Sequence, residues 1–138
     1  MSVTLKPAVD AYLREARIAK LATLNRDGSP NIVPVWYEWD GAMARVFTTR
    51  GSPKTKRIAR DPRVALSVEE GVGLPEKWVT IEGTVSIEDG DALALARRLI
   101  ERHYSAERIA ETWPTWEAEA ANWVLLAITP TRIRTEGF

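Results

Sequence analysis

The residues best suited to chemistry in this sequence are cations clustered at the start of a short predicted helix. Lys54, Lys56 and Arg57 lie within four positions of one another, directly after Ser52. Ser52 is a good N-cap, and Pro62 ends the helix because the residue before a proline avoids the helical conformation. A helix N-terminus combined with small residues and positive charge favours the binding of a phosphate group.

The same cations also allow a simpler interpretation, a solvated basic face, which is the usual role of a helix rich in Lys and Arg. Two features of the surrounding sequence favour phosphate binding instead. A strand is predicted to end directly before the cluster, and the run Gly51-Ser52-Pro53 starts the helix with small residues that allow close approach of a ligand.

Few other residues are suited to catalysis. The sequence has no cysteine, which excludes thiolate chemistry, disulfides and most zinc sites. Its one histidine, His103, is expected in the last turn of a helix as a capping or packing residue. Glu69, Glu70 and Glu82 have no His or Cys nearby in sequence and are interpreted as surface acids. The sequence therefore offers no persuasive protein nucleophile and no acid–base pair.

Tryptophan is unusually frequent, with six residues in a chain of 138. The preferred interpretation for each is packing in the core or at a dimer interface, and the alternative is a flat surface for a planar aromatic ligand. The segment Trp113–Trp116 has a further alternative as a lid over a planar substrate.

Charge and hydropathy narrow the class of protein. Lys and Arg number 19, as do Asp and Glu, so the net charge of zero gives no reason to expect bulk nucleic-acid or membrane binding. The basic cluster also lacks interleaved aromatic residues of the kind that bind nucleic acid. The sequence shows neither a signal-peptide core nor an apolar run near the ~20 residues of a membrane span. We therefore expect one cytoplasmic domain over 1–138, with a small molecule as its partner.

The elements that must position the cations are mostly strands joined by hairpins, which favours an antiparallel sheet. Six or seven short strands with covering helices favour a closed or split barrel, whose filled interior leaves ligands to bind outside it. Pro34 lacks an N–H and should lie at a sheet edge or bulge. The predicted order is helix 6–15, strands 18–24, 31–39 and 43–48, the basic helix, strands 64–68 and 78–87, a helix ending near 104, a helical segment 106–121 interrupted at Pro114, strand 123–128, a break at Pro130 and a short strand near 133.

Four stretches, in order along the chain, resemble the pyridoxamine 5'-phosphate oxidase-like, flavin/deazaflavin-dependent oxidoreductases. They are ARIAKLATLNRDGSPNIVPVWYEWDG, FTTRGSPKTKRIARDPRVALSVE, KWVTIEGTVSIEDG and LLAITPTRIRTEGF. The ordered set covers nearly the whole chain and is more specific than any single piece. It is most similar to the branch that uses F420, an 8-hydroxy-5-deazaflavin coenzyme, which is close to the branch that binds flavin mononucleotide (FMN).

The resemblance implies a mainly β (α+β) fold, namely a six-stranded antiparallel split β-barrel of the FMN-binding type with flanking helices. It also implies a homodimer with coenzyme sites at the interface. The coenzyme-binding residues that it implies are Val33, Pro34, Val35 and Trp36 along the ring, Thr48, Thr49, Ser52, Lys54, Lys56 and Arg57 around the ribityl phosphate, and Trp78 nearby with Gly83.

Two departures from the family pattern limit what is carried over. Ile58-Ala59 replaces an Asn-Leu pair that is frequent in the family, which puts an amide contact there in doubt. The Arg-x-x-x-Lys strand of true pyridoxamine phosphate oxidases is not evident, so oxidation of vitamin B6 is not assigned. Arg132 and Arg134 are interpreted as a solvated edge strand, with contact to the partner's coenzyme phosphate as the alternative.

The function that the resemblance implies is hydride transfer between F420 or FMN and a small conjugated organic substrate. The reacting atom is flavin N5 or deazaflavin C5, and the protein positions it. The alternative is a non-catalytic protein that stores or senses a flavin, F420 or a tetrapyrrole in the same pocket.

Overall fold

The computed structural model describes residues 4–138 and is mainly β with flanking helices, as predicted. No helix in this range is long and apolar enough to cross a membrane. Neighbouring strands pair antiparallel. The elements are α1 (Pro7–Arg14), β1 (Ala19–Leu24), β2 (Pro30–Val35), β3 (Glu38–Trp39), β4 (Ala44–Thr49), α2 (Pro53–Arg60), β5 (Arg63–Glu69), β6 (Trp78–Glu88), α3 (Ala92–His103), α4 (Ala106–Glu119), a 3-10 turn (Ala120–Asn122) and β7 (Trp123–Glu136).

The sheet is forced to curl by one short connection. Its strand order is β2-β1-β5-β6-β7-β4-β3, so β2 and β3 lie at opposite edges. Yet Trp36 and Tyr37 alone separate these two strands in sequence. A chain of this length reaches at most roughly 11 Å between the flanking Cα atoms. The sheet must therefore curve until its two edges approach each other, which produces a split barrel.

The strand predicted over 31–39 is in fact two strands, and this corrects the strand number. β2 pairs with β1, whereas β3 pairs with β4 at the far edge. Trp36 and Tyr37 leave the ladder because the chain changes edges there. The described residues thus form seven strands rather than the six implied by the family resemblance. Pro34 lies on the edge strand β2, as predicted.

The predicted break at Pro130 is wrong, because β7 continues through it without interruption. The irregularity is a β-bulge instead. Pro130 pairs with Gly83, Arg132 pairs with Glu82, and Thr131 is the extra residue between them. The hydroxyl of Thr131 donates a hydrogen bond to the Glu82 carbonyl at 3.1 Å. A bulge allows the proline to sit within a long strand.

Helix α4 is likewise continuous, whereas the sequence predicted an interruption at Pro114. A proline inside a helix removes one backbone hydrogen bond and costs roughly 3 kcal/mol. Trp113 and Trp116, on either side of it, pack against a cluster that contains Trp123. No side chain of α4 is fully buried. We therefore attribute the continuity of α4 to the packing of these two tryptophans.

The interior of the barrel is filled by apolar side chains from most of its strands. Leu21, Leu66, Ile81, Leu126 and Ile128 are fully inaccessible to solvent. A ligand must therefore bind outside this core, at the surface of the barrel.

The connection between β2 and β3 is anchored on both sides. The hydroxyl of buried Tyr37 donates to the Leu13 carbonyl at 2.9 Å, and burial raises the pKa of Tyr37 to about 12. Trp36 stacks on His103 with ring centroids 4.4 Å apart and planes 7° apart. His103 is thus a packing residue, as predicted. Burial, with a smaller contribution from Arg102, lowers the pKa of His103.

We expect Gly83→Ala to lower the free energy of unfolding by about 1–3 kcal/mol, the usual cost of overpacking. A β carbon at Gly83 would lie 2.3 Å from the carbonyl oxygen of Thr129. Gly71→Ala is the matched control, because the nearest atom to its added carbon is 3.8 Å away. Urea denaturation of both variants measures the difference, and equal stabilities would contradict a rigid bulge.

We also expect the stability of the protein to fall as the pH drops below about 6.5, the ordinary pKa of histidine. Because the pKa of His103 is lowered in the folded state, the unfolded chain takes up the proton first, and protonation favours unfolding. His103→Phe keeps a flat ring against Trp36 and should remove this pH dependence between roughly pH 5 and 7. Unfolding free energies measured across that range test it, and parallel profiles for the two proteins would show that His103 is not responsible.

Candidate functional site

A cavity of about 450 Å³ lies outside the barrel core, beside the connection between β2 and β3. This volume is in the range of small-molecule sites. The residues that line it come from the start of β1, the end of β2, β4, α2, the end of α3, and α4. They are Ile18, Pro34, Val35, Trp36, Val46, Phe47, Lys54, Tyr104 and Trp116.

Four aromatic rings form one wall of this cavity, and we call Trp36, Phe47, Tyr104 and Trp116 the aromatic wall. Trp36 meets Tyr104 edge to face, with centroids 5.0 Å apart, and lies 5.9 Å from Trp116. Phe47 lies 5.6 Å from Trp116. Rings that touch one another restrain each other's rotation, so the wall offers flat apolar surface to a planar conjugated ligand.

Lys54 brings positive charge into the same cavity. Its side chain is half-buried, and no acidic residue within 4–138 forms an ion pair with it. Burial, together with the nearby charge of Arg57, lowers the pKa of Lys54. A partly desolvated ammonium group without a counter-ion is stabilised when an anion binds beside it.

The N-terminus of α2 offers few free hydrogen-bond donors to a ligand. Ser52 is the N-cap, as predicted, and its hydroxyl oxygen accepts the Thr55 N–H at 3.4 Å. Pro53 has no N–H to offer. The N–H of Lys54, the next residue of the first turn, has no acceptor among the described residues. The Ser52 hydroxyl also lies 3.5 Å from that of Thr48 at the end of β4. The Ser52 hydroxyl also donates to the Thr55 hydroxyl at 3.4 Å, so it is already hydrogen-bonded within the turn. One amide and one ammonium group, both of Lys54, are therefore available to a phosphate here.

The other two predicted cations do not line the cavity, for different reasons. Successive helical residues are rotated by about 100°, which turns Lys56 away from Lys54. Lys56 is exposed and lines a separate cavity of about 260 Å³ on the opposite side of α2. Arg57 shares a face with Lys54, but it donates to the Thr23 hydroxyl at 2.8 Å and to the Asn31 side chain at 3.0 Å. Arg57 thereby ties α2 to the sheet.

Five further residues of the predicted coenzyme site are not among the residues that line the 450 Å³ cavity, namely Val33, Thr48, Thr49, Ser52 and Trp78. Val33 is half-buried and packs against the barrel core, whereas Thr49 is exposed at the end of β4. Trp78 is half-buried at the start of β6, where it pairs with Glu69. For all the predicted site residues, those that line the cavity included, a role in coenzyme binding stays a prediction.

Three acidic residues singled out in the sequence, Glu69, Glu70 and Glu82, are poorly suited to catalysis. Glu70 is hydrogen-bonded to Arg17 at 3.2 Å, and Glu82 lies 3.3 Å from Arg134. Glu69 is exposed. Within residues 4–138 no group of three or more acidic and histidine side chains is arranged to hold a metal ion.

Sequence reasoning missed part of the cavity lining. The residues not predicted for it are Ile18, Val46, Phe47, Tyr104 and Trp116. The high aromatic content was the available signal, and a lid role for Trp116 was already one alternative. What the sequence could not indicate is that the end of α3 and the middle of α4 lie over the β2–β3 connection.

Comparisons of this chain with known proteins agree on one family. Residues 5–137 match the family model for pyridoxamine 5'-phosphate oxidase. An F420H(2)-dependent biliverdin reductase of Mycobacterium tuberculosis (strain CDC 1551 / Oshkosh) is 34% identical over 101 residues, which is 71% of this chain and 71% of that protein. A solved structure called F420 Reductase has a TM-score of 0.77 at 24% identity and covers 94% of this chain and 98% of its own. The conserved hypothetical protein Rv2991 from Mycobacterium tuberculosis has a TM-score of 0.77 at 25% identity, covering 97% of this chain and 85% of its own.

The family match includes both the curled sheet and every residue that lines the 450 Å³ cavity. The two solved structures share the fold over nearly the whole chain. This chain therefore belongs to the pyridoxamine 5'-phosphate oxidase family.

Proposed function

We propose that this protein is an F420-dependent reductase that transfers a hydride to a small conjugated organic molecule, with FMN as the alternative coenzyme. The observation that carries the proposal is the 450 Å³ cavity, which joins the unpaired cation Lys54 to the aromatic wall. The biliverdin reductase relative and the F420 reductase structure support F420 as the coenzyme.

The residues present fit such a coenzyme. F420 and FMN both carry a planar three-ring system on a ribityl phosphate, so they need a flat apolar surface and an anion site. The aromatic wall supplies the first. The Lys54 ammonium group and the Lys54 N–H supply the second, with the hydroxyls of Ser52 and Thr48 next to them. The coenzyme, when bound, supplies the hydride.

The protein's own residues bind, orient and exclude water. Lys54 gains a counter-ion, which offsets the cost of its partial burial. Pro34 and Val35 lie on the edge strand β2, whose outer side has no neighbouring strand, so backbone groups there can meet a ligand. Trp36 and Trp116 keep water from the reacting ring. Water exclusion strengthens electrostatic interactions within the cavity.

A homodimer with the coenzyme at its interface is part of the proposal. Ile18, on the cavity lining, is 42% exposed, and Ile32 on the edge strand is 64% exposed. Apolar side chains of this size beside an open cavity suit coverage by a second copy of the chain. A second copy is also one way for Trp78, which lies outside the cavity of a single chain, to reach a coenzyme.

We expect Lys54→Ala to weaken F420 binding by about 1–3 kcal/mol, the value of a lost charge-assisted hydrogen bond, or roughly tenfold to a hundredfold in Kd. Lys56→Ala should have a much smaller effect, because Lys56 lines the other side of α2. Calorimetric titration of the two variants with F420, and with FMN, measures this. Equal losses in both variants would contradict the assignment of the phosphate to Lys54.

Catalysis is tested separately from binding. We expect the protein to oxidise reduced F420 in the presence of biliverdin, the molecule named for the relative, with Lys54→Ala raising the KM for the coenzyme. The absorbance of oxidised F420 follows turnover. Coenzyme that binds tightly but is not oxidised by biliverdin or by other conjugated acceptors would instead identify a storage protein.

A further inference from the structure

A second cation lies beside the cavity, on the side formed by α4. The guanidinium carbon of Arg108 is 3.7 Å from the centroid of the Tyr104 ring, and Tyr104 lines the cavity. Tyr104 in turn meets Trp36 edge to face. Arg108 is therefore stacked on a member of the aromatic wall, and its side chain is exposed outside the cavity lining.

Arg108 differs from Arg97 and Arg98 of α3 in having no acidic partner among the described residues. Arg97 is bonded to Glu101 at 2.6 Å, and Arg98 to Glu38 at 2.6 Å. Within residues 4–138 no carboxylate lies within ion-pair distance of Arg108. Its backbone N–H donates to the N-cap Ser105, so the base of the side chain is fixed while the guanidinium donors are unused.

Lys54 and Arg108 are two cations at different places around the aromatic wall. Lys54 enters the cavity from α2, beside Ser52 and the end of β4. Arg108 lies in the first turn of α4, outside the cavity lining and against Tyr104. A phosphate held at Lys54 therefore leaves Arg108 available to a second molecule that lies on the aromatic wall.

We propose that Arg108 is a specificity-determining residue that selects substrates with a carboxylate attached to a planar conjugated ring. The inference rests on the proposed function and names the class of its substrate. A guanidinium group stacked on an aromatic ring holds its planar fork ready for bidentate hydrogen bonding to a carboxylate. The stacked Tyr104 also shields one face of the guanidinium group from water, which strengthens the ion pair.

The test compares a planar acid with its neutral ester. Anthracene-9-carboxylate and its methyl ester are titrated, by fluorescence, into the protein with and without bound F420. We expect the wild-type protein to bind the acid about tenfold more tightly than the ester, as one charge-assisted pair provides. Arg108→Gln should remove this preference, and Arg108→Lys should retain only part of it.

Arg97→Gln is the matched control. Arg97 also lies over an aromatic ring, 4.9 Å from the centroid of Trp113, but it is already paired with Glu101. This variant should keep the full preference for the acid. Circular dichroism and thermal unfolding confirm that each variant is folded before its titration is compared.

Three outcomes would overturn the proposal. The preference for the acid could persist in Arg108→Gln, or it could be lost in Lys54→Ala instead, which would place the carboxylate in the phosphate site. Arg108→Gln could also weaken F420 binding as much as Lys54→Ala does, which would assign Arg108 to the coenzyme. Failure of F420 to bind at all would refute the proposed function alone, because the titration without coenzyme still reports on Arg108.

Discussion

The two-residue connection between β2 and β3 is the constraint on which the rest of the structure depends. It holds the two edges of a seven-stranded sheet close together and so closes one end of the barrel. Adjacent residues of an extended chain point to opposite sides. Tyr37 is therefore buried in the core, while Trp36 lies on the outer side and lines the cavity. A single short segment both completes the fold and forms part of the site.

Unused hydrogen-bonding capacity, rather than the total of positive charge, distinguishes the cations of this chain. Arg57 is the middle of a basic run, but its guanidinium group is bonded to Thr23 and Asn31 and serves to fix α2 on the sheet. Lys54 has no such partner within residues 4–138 and is partly buried in an apolar cavity. A net charge of zero conceals this difference, because ion pairs account for many of the other basic residues.

Local rules explain what the sequence could predict. The two ends of α2 were predicted from Ser52 and Pro62, because capping and proline effects act over a few residues. The edge position of Pro34 was predicted for the same reason. Long-range contacts explain the errors. The passage of β7 through Pro130 depends on a bulge opposite Gly83, and the continuity of α4 through Pro114 depends on tryptophans packed against Trp123. The contribution of Tyr104 and Trp116 to the cavity likewise required knowing where the helices dock.

The shallow attachment of α4 has a consequence for how this family can diversify. None of the side chains of α4 is fully buried, yet the helix supplies Trp116 to the cavity and stacks Arg108 on Tyr104, which also lines the cavity. Substitutions in α4 therefore alter what the cavity admits while the barrel core and the start of α2 stay intact. New substrate preferences can arise in this helix by mutation without first requiring stabilising changes elsewhere, so selection can act on specificity almost independently of folding.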